Sequence, residues 1–375
     1  IKQDLICEHI IRECENAQLN KKFNDIFLTA PTGAGKSLFF QLPSLYLGKK
    51  GLVTIVISPL KALMYDQVQS LIDERKVNNA AYLNSDLSII EREEVIEGIK
   101  TGEFDIIYMS PELLLSYSID TFIGERKIGL IAIDEAHLVS TWGRGFRVDY
   151  WYLGTHLTKL KKYHCDKDGN QIKFPILSVT ATAVYGGEDD IALETVDSLN
   201  MDPGNSGFYI GSAKREDIEL EHHLFNPKGS YKDKKQEKTL DHLKYGIRNN
   251  IKTIAYFPFI PLINETWTLL EEDSSDTIYR EKAGIFHGKI DDKNLKKETQ
   301  DKFKNNDISV VLASKAFGMG VDISDIEQIY HHAPSGNLAD YVQEIGRAAR
   351  DKDIQGKAVT FFNDDDMQYS KILFG

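Results

Sequence analysis

Short apolar runs rich in β-branched residues alternate with amphipathic segments along the whole chain. Residues 53–58 and 128–134 are typical of the runs, and residues 62–74 and 89–101 are typical of the segments between them. Continuous apolar strands separated by helices predict a parallel sheet, because helices cover both faces of such a sheet. The other predicted strands are residues 25–29, 79–83, 105–109, 176–180, 218–224, 253–257, 283–286, 309–313, 326–331 and 356–362.

The same alternation starts again after about residue 210, which predicts two α/β domains in tandem. We expect the first domain to span residues 1–208 and the second to span residues 209–375, with the Gly-, Asn- and Ser-rich residues 202–212 as the linker. The 375 residues give each domain enough chain for its own hydrophobic core. The basic residues 228–238 and the acidic residues 364–366 are expected to be exposed loops.

Composition excludes several classes of protein. The hydrophobic share of 42% and charged share of 27% indicate a globular chain, and no apolar run approaches the length of a membrane span. Three cysteines without a CxxC pair exclude a disulfide framework and a four-cysteine zinc site, so we expect a reducing compartment: the cytoplasm, with the nucleoid, or a nucleus. The net charge of −12 argues against coating nucleic acid by bulk electrostatics, so any nucleic-acid site is expected to be local.

Residues 30–37 read Ala-Pro-Thr-Gly-Ala-Gly-Lys-Ser and lie between a predicted strand and an amphipathic helix. A phosphate-binding P-loop requires this order, since glycines let backbone N–H groups surround a triphosphate and the helix N-terminus adds partial positive charge. We expect Lys36 to reach the β and γ phosphates and the Ser37 hydroxyl to bind Mg²⁺. A nucleoside triphosphate and Mg²⁺ are therefore the predicted ligands, with contacts from Thr32, Gly33, Ala34, Gly35, Lys36 and Ser37.

A second buried strand, residues 128–133, ends in the acidic pair Asp134 and Glu135. A P-loop needs such a pair, because one carboxylate holds Mg²⁺ and the other orients and deprotonates the attacking water. We expect Asp134 to take the first role and Glu135 the second.

With these two motifs in place, the chain resembles superfamily 2 helicases, and RecQ-like helicases in particular. The strongest likeness is residues 134–150, Asp-Glu-Ala-His followed by a Trp-Gly-Arg-Gly-Phe-Arg run, where this family carries an aromatic-rich loop between the Mg²⁺ motif and DNA. The resemblance runs from Gln3 to about Asp366. The other matching segments are residues 58–68, 109–113, 178–183, 283–290, 314–322 and 341–351.

The resemblance implies a fold of two tandem RecA-like domains, each a mostly parallel sheet covered by helices on both faces. In this family the two domains bracket one ATP, and their closure drives hydrolysis and 3′ to 5′ movement on single-stranded DNA. By resemblance, Arg347 and Arg350 are arginine fingers, and Gln343 contacts the γ phosphate or the attacking water. The remaining expected nucleotide contacts are Gln3, which reads adenine, Gly320 and Asp322.

The resemblance also implies a groove for single-stranded or forked DNA. Trp142 and Phe146 are expected to stack on bases, which is worth roughly 1–3 kcal/mol per base, and Arg147 to bind phosphate. His137, Thr180 and Thr182 are expected to couple hydrolysis to movement. The other expected contacts with nucleic acid are Ser58, Pro59, Lys61, Ser110, Arg144, Ser314 and Lys315.

The chain departs from the family pattern at several positions. Thr141, Arg144 and Gly145 stand where the family usually has Gln, His and Asp, and Ala349 replaces a glycine. The family's zinc-binding subdomain and winged helix do not follow the last motif. Since Ile rather than Met opens the sequence, further domains of a longer chain, or a partner protein, are candidates to complete it.

The resulting hypothesis is an ATP- and Mg²⁺-dependent DNA helicase or translocase, and two alternatives stay open. The first is an RNA helicase, because the scheme for gripping phosphates is shared and only a 2′-OH preference separates the two substrates. The second is a nucleic-acid-sensing ATPase subunit that switches a partner protein instead of unwinding a duplex.

Overall fold

The computed structural model describes residues 2–141, 148–181, 190–211, 215–273, 277–290, 293–315, 317, 323–351 and 353–366. The chain divides into two compact units, Ile1–Ala213 and Lys214–Gly375. Each unit is built around one parallel sheet, which confirms the predicted α/β class. None of the helices in the described ranges is both long and apolar enough to cross a membrane.

In the described part of the first unit, seven parallel strands form a sheet in the order β3-β4-β2-β5-β6-β1-β7. The strands are β1 Ile26–Thr29, β2 Leu52–Ile57, β3 Ala80–Leu83, β4 Ile106–Met109, β5 Lys127–Ile133, β6 Ile176–Thr180 and β7 Phe208–Ile210. The helices are α1 Gln3–Gln18, α2 Leu38–Gly48, α3 Lys61–Asp73, α4 Ile89–Thr101, α5 Pro111–Ser116, α6 Ile119–Ile123, α7 Leu138–Thr141, α8 Val148–Tyr163 and α9 Ile191–Ser198.

The described part of the second unit holds a six-stranded parallel sheet in the order β10-β11-β9-β12-β13-β8. The strands are β8 Ile218–Leu224, β9 Thr253–Tyr256, β10 Ala283–Phe286, β11 Val310–Ala313, β12 Gln328–His331 and β13 Gly356–Phe362. The helices are α10 Tyr231–Arg248, α11 Ile260–Glu271, α12 Ile278–Glu281, α13 Lys293–Lys304 and α14 Leu338–Ile345, followed at the end by the 3₁₀ turn Asp364–Asp366.

Alternate side chains of the central strands are buried on opposite faces of each sheet. In β2, Ile55 and Ile57 join the apolar cluster formed with α8, whereas Val56 joins the cluster formed with α1 and α2. In β9, Ile254 and Ala255 separate in the same way. This two-sided burial is the reason that the strands are continuous apolar runs instead of alternating ones.

Part of the predicted linker is a strand. Phe208 pairs with Phe27 of β1, so the first unit runs past residue 208, where we expected it to end. Gly207 and Gly211 bracket this strand because side chains there have no room: a Cβ at Gly211 would lie 2.6 Å from the carbonyl oxygen of Thr29, and one at Gly207 would collide with the carbonyl oxygen of Asp25. The glycines that made the segment look like a loop are the residues that let it approach β1.

The buried carboxylate of Asp25 joins three distant segments of the first unit. Asp25 is 2% exposed, and it accepts hydrogen bonds from the backbone N–H groups of Ile176 at 2.7 Å and Asp202 at 2.9 Å. Lys161 Nζ of α8 donates to both carboxylate oxygens, at 2.7 and 2.8 Å. One side chain therefore fixes the start of β6, the C-terminal half of α8 and the approach to β7 relative to β1.

Asp25→Asn is expected to destabilise the protein by about 3 kcal/mol, because the amide keeps the shape but leaves Lys161 without its charge partner. The matched control is Glu15→Gln, which removes a solvent-exposed pair with Lys50 and should cost less than about 1 kcal/mol. Urea denaturation of the two variants measures both. Equal transition midpoints would show that Asp25 does not organise the fold.

Residues 228–238 were expected to be an exposed loop and residues 364–366 an exposed acidic turn, and the structure corrects this in part: residues 228–230, Asp364 and Asp365 are exposed, but a helix and a buried ion pair occupy the rest. α10 begins at Tyr231, and its Lys235 is 2% exposed. Lys235 Nζ lies 2.8 Å from Oδ2 of Asp366, which is itself 1% exposed and also accepts from the Tyr231 hydroxyl. The partners are far apart in sequence, so local charge patterns gave no sign of this buried ion pair. It anchors the end of the described chain to α10.

Candidate nucleotide site

The two motifs predicted to handle ATP meet at the carboxyl edge of the first sheet, on either side of β6. The P-loop follows β1, the acidic pair follows β5, and β6 lies between these strands. Ala30 N–H donates to the carbonyl oxygen of Thr180 at 3.1 Å, and Ala136 N–H donates to that of Val179 at 3.0 Å. The end of β6 thus holds both loops through backbone hydrogen bonds.

The P-loop adopts the left-handed backbone that its glycines allow. Gly33 and Gly35 have φ of 83° and 71°, values that residues with a Cβ rarely adopt. Ala34 N–H donates to the carbonyl oxygen of Pro31 at 3.1 Å, which closes the loop on itself ahead of α2. The loop therefore has the compact shape in which backbone N–H groups can cradle phosphate.

Gln3, the expected adenine-reading residue, lies beside this loop. Its Nε2 donates to the carbonyl oxygen of Ala34 at 2.6 Å, and a Cβ at Gly35 would lie 3.3 Å from the same nitrogen. The exposed first turn of α1 brings it there, far from the P-loop in sequence.

The Ser37 hydroxyl is oriented by a chain of polar side chains that sequence reasoning missed. Gln67 Nε2 donates to Ser37 Oγ at 2.8 Å, and Gln67 Oε1 accepts from Gln41 Nε2 at 2.8 Å. Gln41 is 3% exposed, and it also donates to the Tyr108 hydroxyl at 3.0 Å and accepts from the Arg75 guanidinium. The available signal was that Gln67 shares a helical face with the buried Met64, Val68 and Leu71 of α3.

Asp134 of the acidic pair is buried and has a raised pKa, whereas Glu135 is partly exposed. Asp134 is 5% exposed, and burial together with the neighbouring Glu135 raises its pKa, while the charge of Lys36 partly offsets the rise. Glu135 has φ of 48°, a left-handed conformation that costs roughly 1–3 kcal/mol for a residue with a side chain. Such strain collects at functional sites, where it aims a side chain.

Glu135 is linked to the end of β6 through a histidine. Glu135 Oε2 lies 3.5 Å from Nδ1 of His137, and the same nitrogen lies 2.9 Å from Oγ1 of Thr180. His137 and Thr180 are 5% and 0% exposed. Glu135 Oε2 is buried and makes no hydrogen bond within the described ranges.

The residues at this edge fit Mg²⁺. The Ser37 hydroxyl and the Asp134 carboxylate offer oxygen donors, and a bound cation would stabilise the ionised form of Asp134, whose pKa burial and the neighbouring Glu135 raise. No group of three or more His, Cys, Asp or Glu able to hold a metal occurs in the part of the chain that the structure describes. Mg²⁺ suits such a sparse set, because it is commonly bound by one or two carboxylates plus phosphates and water.

The candidate nucleic-acid contacts of the first unit differ in exposure. Ser58 is 1% exposed and its Oγ is buried, which corrects the expectation that this hydroxyl meets a phosphate backbone. Ser110 Oγ accepts from Leu113 N–H at 3.3 Å and caps α5, and Pro59 is buried. Lys61 is exposed, with Nζ 2.8 Å from Oδ1 of Asp86. The predicted contacts Trp142, Arg144, Phe146 and Arg147, and the coupling residue Thr182, lie outside the described residues.

The candidate residues of the second unit lie around α14. Gln343 is half-buried in the helix, and Arg347 and Arg350 follow it, with Arg347 7% exposed. Lys315 is exposed, with Nζ 2.6 Å from Oδ1 of Asp340, and Ser314 N–H donates to the carbonyl oxygen of Phe286 at 3.1 Å. Gly320 and Asp322 lie outside the described residues.

A buried histidine and glutamate hold α14 against its sheet, and sequence reasoning missed both. His331 Nε2 at the end of β12 lies 2.9 Å from Oε2 of Glu344, and Ser335 Oγ donates to the same oxygen at 2.5 Å. Burial alone raises the pKa of Glu344, but hydrogen bonds from His331 and Ser335 outweigh it and lower the pKa. Glu344 therefore stays ionised and anchors the helix that precedes the two arginines.

Two helicase families match the chain. Residues 9–187 match the DEAD/DEAH box helicase family, and residues 234–352 match the helicase conserved C-terminal domain. The chain is 33% identical over 343 residues to the ATP-dependent DNA helicase RecQ of Bacillus subtilis (strain 168), covering 92% of this chain and 52% of the relative. It is 35% identical over 333 residues to the probable ATP-dependent DNA helicase RecS of the same organism, covering 87% and 59%. The chain spans about half the length of the curated relatives it matches.

Solved structures of other helicases share the fold. The DEAD-box helicase Mss116 bound to ssRNA and UDP-BeF aligns with 98% of this chain and 71% of its own, with a TM-score of 0.71 and 18% identity. The Mycobacterium smegmatis helicase Lhr bound to ssDNA and AMP-PNP aligns with 97% of this chain and 47% of its own, with a TM-score of 0.65 and 18% identity.

The fold and the site define a helicase core of two tandem RecA-like domains. Within that class the chain is similar in sequence to ATP-dependent DNA helicases named RecQ, at 31–33% identity over 92–96% of its length. The family resemblance read from the motifs is confirmed.

Gln67→Ala is expected to weaken the binding of a fluorescent ATP analogue in the presence of Mg²⁺ by roughly five- to thirty-fold, since a half-buried hydrogen bond worth about 1–2 kcal/mol no longer orients Ser37. Without Mg²⁺ the loss should be smaller. Gln18→Ala is the control, because Gln18 also makes half-buried hydrogen bonds in the first unit but does not contact the P-loop. An equal loss in both variants would reduce Gln67 to a structural role.

Proposed function

We propose that this chain is the motor core of an ATP- and Mg²⁺-dependent DNA helicase of the RecQ type, which moves 3′ to 5′ on single-stranded DNA. The observation that carries the proposal is the meeting of the P-loop, Asp134 and Glu135 at one sheet edge, held together by β6. The RecQ-like sequence supports DNA as the substrate and points to a nucleoid, cytoplasmic or nuclear site of action.

In the proposed hydrolysis, the P-loop N–H groups and Lys36 bind the phosphates, and Gln3 recognises the base. Ser37 and Asp134 hold Mg²⁺, which when bound neutralises phosphate charge. Glu135 orients the attacking water and accepts its proton. His137 Nδ1 lies 3.5 Å from Glu135 Oε2 and 2.9 Å from Thr180 Oγ1, and it thereby links the carboxylate of Glu135 to the end of β6.

The second unit supplies positively charged side chains that stabilise the phosphate groups during hydrolysis. Arg347 and Arg350 act as arginine fingers on the developing phosphate charge, and Gln343, Gly320 and Asp322 complete the nucleotide contacts. Since these groups come from the other unit, hydrolysis depends on closure of the two units and is thereby coupled to movement.

The proposed DNA contacts are few and local, in keeping with a net charge of −12. Lys61 and Lys315 are exposed and bind phosphates after leaving their partners Asp86 and Asp340. Trp142 and Phe146 stack on bases, beside Arg144 and Arg147. Ser58 contributes through its backbone rather than its buried hydroxyl.

Glu135→Gln is expected to lower the DNA-stimulated rate of ATP hydrolysis by about 10²–10⁴-fold while nucleotide binding persists, because the amide cannot take the proton from water. Lys36→Ala should instead abolish nucleotide binding. Glu125→Gln is the control, since its side chain is 80% exposed. Unchanged turnover in Glu135→Gln rules out its role as the base.

The same assay, run with single-stranded DNA, forked DNA and RNA beside a strand-displacement assay, separates the alternatives. A helicase of the proposed type unwinds forked DNA and prefers DNA for stimulation. Stronger stimulation by RNA would assign an RNA helicase. Stimulated hydrolysis without strand displacement would assign a sensor that switches a partner.

Replacing Trp142 and Phe146 together with Ala should remove the stimulation of hydrolysis by DNA, because base stacking no longer signals to the acidic pair. The basal rate without DNA should persist. The control is Tyr163→Ala, an aromatic residue that is 67% exposed at the end of α8. Full stimulation in the double variant would exclude the aromatic loop as the coupling element.

A further inference from the structure

Arg215, at the start of the second unit, binds the backbone of the turn that carries the two candidate arginine fingers. Its Nη2 donates to the carbonyl oxygens of Ala348 at 3.1 Å and Ala349 at 2.5 Å, and its Nη1 lies 3.4 Å from that of Gly346. These three carbonyls flank Arg347 and immediately precede Arg350. One guanidinium therefore contacts the backbone on both sides of Arg347 and immediately before Arg350.

The guanidinium is itself held in place. Nε and Nη2 donate to the two carboxylate oxygens of Asp217 at 2.7 and 2.6 Å, and the Arg215 side chain is 12% exposed. This hydrogen bonding lowers the pKa of Asp217. The planar fork of an arginine suits the arrangement, because it can bind a carboxylate on one edge and carbonyls on the other.

The turn needs such a partner because of its backbone. Ala349 has φ of 51°, in the left-handed region that favours glycine, where the family carries a glycine. Ala349 N–H donates to the carbonyl oxygen of Ile326 and Asp351 N–H donates to that of Ser324, both at 2.9 Å. The turn is thus bonded through its N–H groups to the segment before β12 and through its carbonyls to Arg215.

Packing leaves the turn little room to adjust. A Cβ placed on Gly356 of β13 would lie 3.0 Å from the Cβ atoms of both Ala348 and Ala349. Gly356 N–H donates to the carbonyl oxygen of Asp217 at 2.8 Å, so the same short stretch that carries Arg215 pairs with β13. Loss of the guanidinium would free the carbonyls without freeing the packed side chains, and the turn would rotate rather than unfold.

We propose that Arg215 is a positioning residue for Arg347 and Arg350: it fixes the direction in which the turn presents them. The proposal rests on the proposed function, since it assumes that these arginines act on the nucleotide. Arg215 touches no reacting atom, so its effect appears in the rate of the chemical step and not in nucleotide binding.

The test is Arg215→Lys, which keeps the charge but cannot serve three carbonyls and a carboxylate with one ammonium group. DNA-stimulated kcat should fall by about tenfold or more, because small misplacements of a catalytic group cost that much, while KM for ATP and the Kd for single-stranded DNA stay within about twofold. The thermal midpoint should stay close to that of the unaltered protein. Arg280→Ala, 72% exposed in the second unit, is the control.

A rescue measurement separates positioning from folding. Low concentrations of guanidinium, well below those that unfold the protein, should restore part of kcat in Arg215→Ala, whereas methylammonium should not. If Arg215→Lys does not fold, Arg215→Gln carries the kinetic test under the same criteria.

Arg347→Ala, measured beside these variants, separates the two possible failures. If Arg347→Ala keeps full kcat, the proposed arginine finger is wrong. If Arg347→Ala loses kcat but Arg215→Lys does not, the positioning role alone is overturned. A fall in kcat at Arg215 that comes with an equal loss of ATP affinity and stability would also overturn it, because that pattern indicates general damage to the fold.

Discussion

The backbone hydrogen bonds at the end of β6 are the constraint on which the candidate site depends. Thr180 and Val179 accept from Ala30 of the P-loop and Ala136 of the acidic motif, so the spacing between phosphate-binding loop and carboxylates is set by one strand. In a parallel sheet every strand delivers its C-terminal loop to the same edge, which explains why the chemistry collects there. The sheet order places β6 between β1 and β5, and this order turns two distant motifs into neighbours.

The charges of the side chains at this sheet edge determine which ligands the site can bind. Asp134 is buried beside the partly exposed Glu135, and burial together with the Glu135 charge raises the pKa of Asp134, so a cation at this position would stabilise the ionised form. The positive charge of Lys36 partly offsets this rise in the pKa of Asp134. A net charge of −12 does not by itself exclude the binding of a polyanion, because exposed cations such as Lys61 and Lys315 can act locally.

The sequence patterns predicted the structural features that are determined by residues close together in the chain. The strands follow from continuous apolar runs, and the P-loop and acidic pair follow from their place after those strands. Contacts between distant residues left no local pattern: Asp25 with Lys161, Lys235 with Asp366, and Arg215 with the turn after α14. Only the family resemblance predicted that Gln3 takes part in nucleotide binding. β7 was missed because the glycines it needs for close approach also signal a loop.

The most direct measurement of the central claim is hydrogen–deuterium exchange with and without an ATP transition-state analogue, Mg²⁺ and single-stranded DNA. If β6 joins the loops into one nucleotide site, peptides that contain residues 30–37, 134–137 and 178–181 should become protected together. Protection confined to residues 30–37, with the other two segments unchanged, would contradict a single site built across β6.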